Sequence, residues 1–267
     1  MRFNHTMALL LRQYYLMRGS VARLLPLFAW VAVDILLWGF ITKYLNAIAD
    51  AGFNFVPVLL GAVLMWDFFT RVMQGVTTSF LEDVWSRSFL NLFATPLTIS
   101  DYVGGLVLTS IVTSTIGLMV MLVLATTVFG LSYFSFGLML VPFLLVLFLF
   151  GIALGIAGAA MVLRLGPASE WFIWPIPAMI SPFVGVFYPL STLPQWMQYI
   201  AHLLPPSYVF EGMRAILLGQ KFSSTLLVWG ICLAGLYIVL AGWYFTYIYR
   251  YAVRTGLLAR YSAESVS

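Results

Sequence analysis

Six long apolar stretches, separated by short polar connections, occupy almost the whole chain, and no water-soluble fold accommodates them. They run roughly over residues 24–44, 55–80, 102–130, 136–163, 171–190 and 225–249. Each reaches the ~20 residues that a helix needs to cross ~30 Å of hydrocarbon. Hydrophobic residues make up 63% of the 267 and charged residues only 8%, against about half and about a quarter in soluble domains. A backbone in lipid must satisfy its own hydrogen bonds, so these stretches are predicted to be helices. A membrane barrel needs period-two alternation, and the run Leu140–Phe150 is apolar at every position.

The first apolar stretch lacks a small-residue cleavage site at its end and reads as a retained anchor. The single cysteine, Cys232, excludes an intrachain disulfide and a cysteine-built metal site. The formal charge of +4 has a topological meaning. With six helices threaded from the cytoplasm, Arg2, Arg12, Arg18, Arg23, Arg87, Arg164, Arg250, Arg254 and Arg260 fall on one side. Lys43, Lys221 and Arg214 fall on the other, and Arg71 lies inside a span. This is the positive-inside pattern with both termini cytoplasmic, and it removes the reason to invoke nucleic acid.

Three connections are more than turns. In residues 1–23, Phe3, Met7, Leu10, Tyr14 and Met17 recur at intervals of four and three, with Arg2, His5, Arg12 and Arg18 mostly off that stripe. Such a helix lies in the cytoplasmic interface, either as a simple anchor or with a mechanical role. The cytoplasmic loop 81–101 is too polar to span and too apolar to be a loose linker. Val84, Trp85, Phe89, Leu92 and Phe93 are predicted to share one helical face that Pro96 ends, with Ser100 or Asp101 capping the third span. That face needs a partner or the membrane surface to cover it. On the outer side, residues 191–221 break into pieces too short to cross, and they read as a re-entrant or interfacial hairpin. The fifth stretch carries Pro175, Pro177 and Pro182 and is predicted to bend.

Here the residues carry a resemblance. Thr95-Pro96-Leu97 after Leu92-Phe93 resembles the cytoplasmic Leu-Leu-x-Thr-Pro-Leu signature of the membrane subunits of type-2 ABC exporters, which serve drugs, nodulation factors and polysaccharides. Phe187 to Trp196, followed by Leu204-Pro205-Pro206-Ser207-Tyr208 and Glu211-Gly212-Met213-Arg214, resembles the family's long signature at the end of span five. Arg87-Ser88-Phe89-Leu90 stands where many members carry Gly-Thr-Leu-Glu. The resemblance implies a coupling helix within 82–97 that docks onto a separate cytoplasmic ATPase through Trp85, Arg87, Phe89, Leu92, Phe93, Thr95, Pro96 and Leu97. It further implies an all-α protein of six transmembrane helices (residues 24–249) with a cytoplasmic tail over 250–267, in a bacterial inner membrane. Two such chains, a homodimer, would work with two ATPase copies. ATP and magnesium belong to that partner, because this chain has no Gly-x-x-x-x-Gly-Lys-Ser/Thr loop and needs no cofactor of its own.

Charges inside spans are the remaining candidates for a pathway or gate, since burying one in lipid costs at least ~2.5 kcal/mol. Asp34 stands alone in span one, and Asp67 and Arg71 are one turn apart in span two. They are either a structural or subunit-contact set, or the lining of a pathway. Glu211 and Arg214 read as a pair in the outer hairpin. The chain is not expected to be an enzyme. His5 and His202 are predicted on opposite sides of the membrane, and neither His-Glu-x-x-His nor Gly-x-Ser-x-Gly occurs. An ATP-independent channel or secondary transporter is the alternative, and it predicts inverted repeats.

Overall fold

The computed structural model describes residues 3–19, 21–48, 56–86, 88, 91–92, 95–131, 137–220 and 224–257. Among them all regular structure is helical: α1 (Phe3–Arg18), α2 (Val21–Ile48), a π-helical turn (Val56–Leu60) leading into α3 (Gly61–Trp85), α4 (Ile99–Phe129) and α5 (Leu140–Leu165). Four short helices follow, α6 (Glu170–Ile173), α7 (Ile176–Val184), α8 (Gln195–Leu203) and α9 (Pro205–Leu217), before the long α10 (Ser224–Arg254).

Five of these are long and apolar enough to cross a membrane, over Ala29–Ile48, Val56–Trp85, Ile99–Phe129, Gly137–Leu165 and Ser224–Arg254. The sixth predicted spanning helix is not one of them. Residues 171–190 break at Trp174 and Pro175, and α7 holds only 9 residues before the left-handed Gly185 (φ 63°). Prolines supply the reason: Pro175, Pro177 and Pro182 each lack the backbone donor that a continuous helix needs.

Helix α3 is the axis of the molecule, with Val72, Met73, Val76 and Phe80 wholly buried. Its neighbour α5 approaches through glycines. A Cβ on Gly155 would stand 2.7 Å from Val76 Cβ and 2.8 Å from the Met73 carbonyl, and one on Gly151 would stand 3.0 Å from Val72 Cβ. Without side chains there the two backbones close up, and Thr77 Oγ1 donates to the Gly155 carbonyl across the contact at 3.2 Å. Helix α4 fits as tightly on the other flank, where Ser110 donates to the Val72 carbonyl at 2.8 Å.

Aromatic contacts give the helix directions. Phe69 stacks on Phe150 at 5.6 Å, and Phe150 meets Tyr237 edge-on at 5.1 Å. Further along, Phe80 meets Phe245 edge-on at 6.2 Å. From Phe69 to Phe80 and from Tyr237 to Phe245 the numbers rise together, so α3 and α10 run parallel, and α5 runs with them. The chain between α5 and α10 must therefore return from the α1 end of the bundle to the far end. It does so in the pieces α6 and α7, then dips back as α8 and re-emerges as α9. The turn of this hairpin is tied to α10: Tyr237, 13 residues into that helix, donates its hydroxyl to the Leu203 carbonyl at 3.2 Å. Helix α9 buries Pro205, Ser207, Val209, Phe210, Met213 and Arg214. The described part of the 191–221 connection is thus a hairpin of short helices.

Helix α1 buries part of its polar side, with Thr6 and Gln13 covered. Of the stripe expected to face lipid, Tyr14 is 55% exposed, whereas Met7, Leu10 and Met17 are half-buried and Met17 lines a cleft inside the bundle. Two local expectations fail. Val84 and Trp85 belong to the last turn of α3 and not to a separate loop helix, and Val84 is buried while Trp85 is 53% exposed. The third span is capped by Thr98, whose hydroxyl accepts from the Asp101 N–H at 3.2 Å, and not by Ser100 or Asp101. Thr98 is in extended geometry just ahead of the first helical turn, which is where a capping side chain reaches back.

Candidate functional site: a polar cleft through the bundle

One face of α3 is polar for most of its length. Asp67, Arg71, Gln74, Thr78 and Glu82 follow one another at intervals of four, three, four and four, which keeps them on one side of a helix over roughly 22 Å. They line a cleft of about 580 Å³. Helix α4 adds Thr109, Thr113 and Ser114, α2 adds Trp30 and Asp34, α1 adds Gln13, and Trp174 reaches in from the break in the fifth stretch. The sequence expectation of a paired Asp67 and Arg71 holds, with Arg71 Nε donating to Asp67 Oδ2 at 3.2 Å. Gly117 of α4 makes room for this arginine, since a Cβ there would lie 3.2 Å from Arg71 Cδ. Asp34 faces the same guanidinium across the cleft and makes no hydrogen bond among the described residues. The hydroxyls of Ser79 and Thr113 donate to carbonyls one turn back, at 2.8 and 3.0 Å. This back-bonding is how such side chains are tolerated inside an apolar helix, and it leaves oxygen lone pairs toward the cleft.

At the α1 end the cleft is closed by a set of ion pairs that sequence reasoning did not anticipate. Gln13 donates to Glu82. The adjacent Asp83, only 3% exposed, accepts from Arg12 at 2.5 Å and from the Tyr102 hydroxyl at 2.8 Å. Arg12 also donates to Ser88 Oγ at 2.8 Å, and His5 Nδ1 lies 3.3 Å from Asp101. Consecutive residues of α3 therefore bind α1 to the cleft wall and to the following loop. In that loop the Leu92 N–H donates to the Ser88 carbonyl at 2.9 Å, and residues 91–92 are helical. Leu92 and Leu97 pack half-buried against the core, whereas Thr95 and Pro96 are exposed. Together with His5, Leu9 and Arg12 these four residues border a second, smaller groove. Arg87, Phe89 and Phe93 lie outside the described residues.

The model of the ABC-2 type transporter family matches residues 6–218. The chain belongs to the ABC-2 type transporter family. No individual curated protein matches it. Members of the family are membrane permeases of ABC-type transport that normally work with an ABC ATPase, and the chain is accordingly a multi-pass membrane protein.

The far end of this ABC-2 permease is held by the second charged pair. Arg214, 7% exposed, donates to the carbonyls of Gly185 at 2.7 Å and Val186 at 3.3 Å, and to Glu211 Oε1 at 2.8 Å. Glu211 Oε1 also accepts the Leu190 N–H at 2.7 Å. The two side chains thus tie α9 to the loop that follows α7. Neither lines the cleft, so the five charges picked from the sequence divide into a cleft set and a clamp. Arg214→Met is expected to destabilise the purified protein by about 3 kcal/mol, because buried carbonyls and a carboxylate lose their charged donor together. Thermal unfolding in detergent measures this. Arg214→Lys should recover only part of the loss, since an ammonium cannot span the forked partners.

The polar stripe was present in the sequence as Asp67 to Glu82, at helical spacing within an apolar stretch. Only its charged members stood out there, because a lone Gln, Thr or Ser is unremarkable in a membrane helix. The ties of Arg12 to Asp83, and of Asp83 to Tyr102, had no such signal.

Proposed function

We propose that this chain is half of the membrane pathway of an ABC exporter, a permease driven by a separate ATPase. The observation that carries the reading is the cleft itself. It is a polar face running from Asp34 and Asp67 inside the bundle to Glu82, with the next residue bonded to both α1 and the loop that holds Thr95-Pro96-Leu97. Arg12, Arg18, Arg164, Arg250 and Arg254 gather at the α1 end of the helices, and the positive-inside rule makes that end cytoplasmic. Both termini then lie in the cytoplasm, and the broken fifth stretch makes the sixth crossing. The exposed Trp85, Thr95 and Pro96, with the groove beside Leu92 and Leu97, form the surface for an ATPase that binds ATP and magnesium. Closure of two such ATPases would push on two permease chains and rock them between inward- and outward-open arrangements. An amphipathic or lipid-linked substrate enters from the inner leaflet of a bacterial inner membrane and leaves outward.

Gentle detergent purification with mass spectrometry of the bound proteins tests this. A stoichiometric partner carrying a phosphate-binding loop is the expected result. Repeated isolation of the chain alone, as an intact dimer, would instead favour an ATP-independent channel or carrier. The charges within spans and the broken fifth stretch speak for that second reading.

A further inference from the structure

The charge and shape of the cleft point to a class of guest. Among the described residues three carboxylates, of Asp34, Asp67 and Glu82, face it against the single guanidinium of Arg71, a formal excess of two negative charges. Asp67 already holds Arg71, and Glu82 holds Gln13. Asp34 is different. It has no hydrogen-bond donor among the described residues and lies one helical turn from Trp30, on the same face of α2. Trp30 is 65% exposed and Trp174 43% exposed, and both line the cleft. Two indole faces beside an unsatisfied carboxylate form the pairing that holds a cation carried on a flat apolar body. The ring faces attract the charge while covering the apolar part. The volume of about 580 Å³ falls within the roughly 300–1,000 Å³ of pockets that take drug-sized molecules. The hydroxyls of Ser79 and Thr113, whose hydrogens are turned back to the helix, present further acceptors and no donors.

An anionic guest meets the opposite circumstances. Its only cationic partner in the cleft among the described residues is Arg71, which is shared between two aspartates. Releasing Arg71 to an anion would leave both carboxylates uncompensated in a poorly solvated site.

We propose that the cleft binds cationic amphiphiles, with the positive charge at Asp34 and the apolar body between Trp30 and Trp174. The proposal rests on the reading of the cleft as a transport pathway and names the guest of that same site. A neutral sugar chain gains little from Asp34, and a polyanionic one is repelled.

The test uses two probes of nearly equal shape and opposite charge, tetraphenylphosphonium and tetraphenylborate. Their binding to the full chain, purified with whatever partner accompanies it and held in phosphatidylcholine nanodiscs without nucleotide, is measured by equilibrium dialysis. Tetraphenylphosphonium is expected to bind saturably. Asp34→Asn should weaken it by about tenfold or more, the loss of one charge-assisted contact, while Asp34→Glu retains it. Trp30→Leu, at an exposed position that folding does not need, should weaken it as well. Tetraphenylborate should show only the lipid partitioning seen with empty discs. Saturable binding of tetraphenylborate at equal strength, or unchanged phosphonium binding in both Asp34→Asn and Trp30→Leu, would overturn the proposal. Neither outcome depends on the ATPase. Phosphonium binding by a chain that purifies alone would keep the cation site and remove the exporter reading, and an ATPase partner without phosphonium binding would do the reverse.

Discussion

Arg71→Met is expected to abolish transport, and Asp67→Asn added to it is expected to restore the fold without restoring transport. Among the described residues the guanidinium is the only cation lining the cleft, and it stands between two aspartates on different helices. Its removal leaves Asp67 and Asp34 without a counter-charge in a site walled by apolar helices. Breaking such a pair from one side costs about 3–5 kcal/mol, so the single variant should melt earlier and transport nothing. Neutralising Asp67 removes half of the stranded charge and should recover most of that stability. The methionine fills the space beside Gly117 where the arginine stem lay, so packing is conserved. Thermal unfolding and substrate efflux from proteoliposomes, measured on both variants, separate the two roles. Efflux returning with stability in the double variant would make the pair a purely structural element of α3.

Leu92→Asp is expected to cost the complex its coupling. Leu92 sits half-buried at the groove bordered by His5, Leu9 and Arg12 of α1 and by Thr95, Pro96 and Leu97. A carboxylate placed there loses apolar burial worth roughly 1 kcal/mol, about half the value of a fully buried side chain, and it also presents Arg12 with a second acid. Arg12 now binds Asp83 and Ser88 together, so diverting it loosens α1 from α3 and from the loop in one step. The bundle core around Val72 and Gly155 is remote from this change and should stay folded. The expected readout is a large drop in ATPase co-purification, with remaining ATP hydrolysis no longer stimulated by substrate. Leu92→Met, which keeps volume and polarity, should behave as the native chain. Full ATP-driven efflux by Leu92→Asp would show that the groove is not where the ATPase acts.

Both predictions draw on residues whose importance was legible to different degrees. Asp34, Asp67 and Arg71 announced themselves, because charge inside an apolar stretch is costly wherever the helix ends up. The partner of Asp67 followed from a spacing of four, a property of any helix. The neighbour of Asp83 did not follow from anything local, since Tyr102 belongs to a different helix and Arg12 lies 71 residues away. The Trp85 and Val84 assignment failed for a related reason. A helix does not stop where hydropathy falls, and α3 continues past Phe80 because α1 and α4 are there to satisfy Glu82 and Asp83.

What the sequence determined by itself is the class of the molecule: a helical membrane protein with an amphipathic first segment and a broken connection over residues 191–221. These follow from burial free energy summed over tens of residues and from backbone groups that lipid cannot satisfy, and both are blind to how helices are arranged. The tertiary structure alone decided that residues 171–190 fold in short pieces. Nothing in the stretch says whether its prolines bend one helix or divide two, and that depends on the hairpin of α8 and α9 packed beside it and clamped by Arg214. It also decided that ten scattered polar residues of α3 and α4 form one cleft. A side chain's direction is periodic and local, but whether two polar faces meet depends on which helices pack together, and glycines such as Gly155 and Gly117 set that by letting backbones and long side chains approach where others cannot.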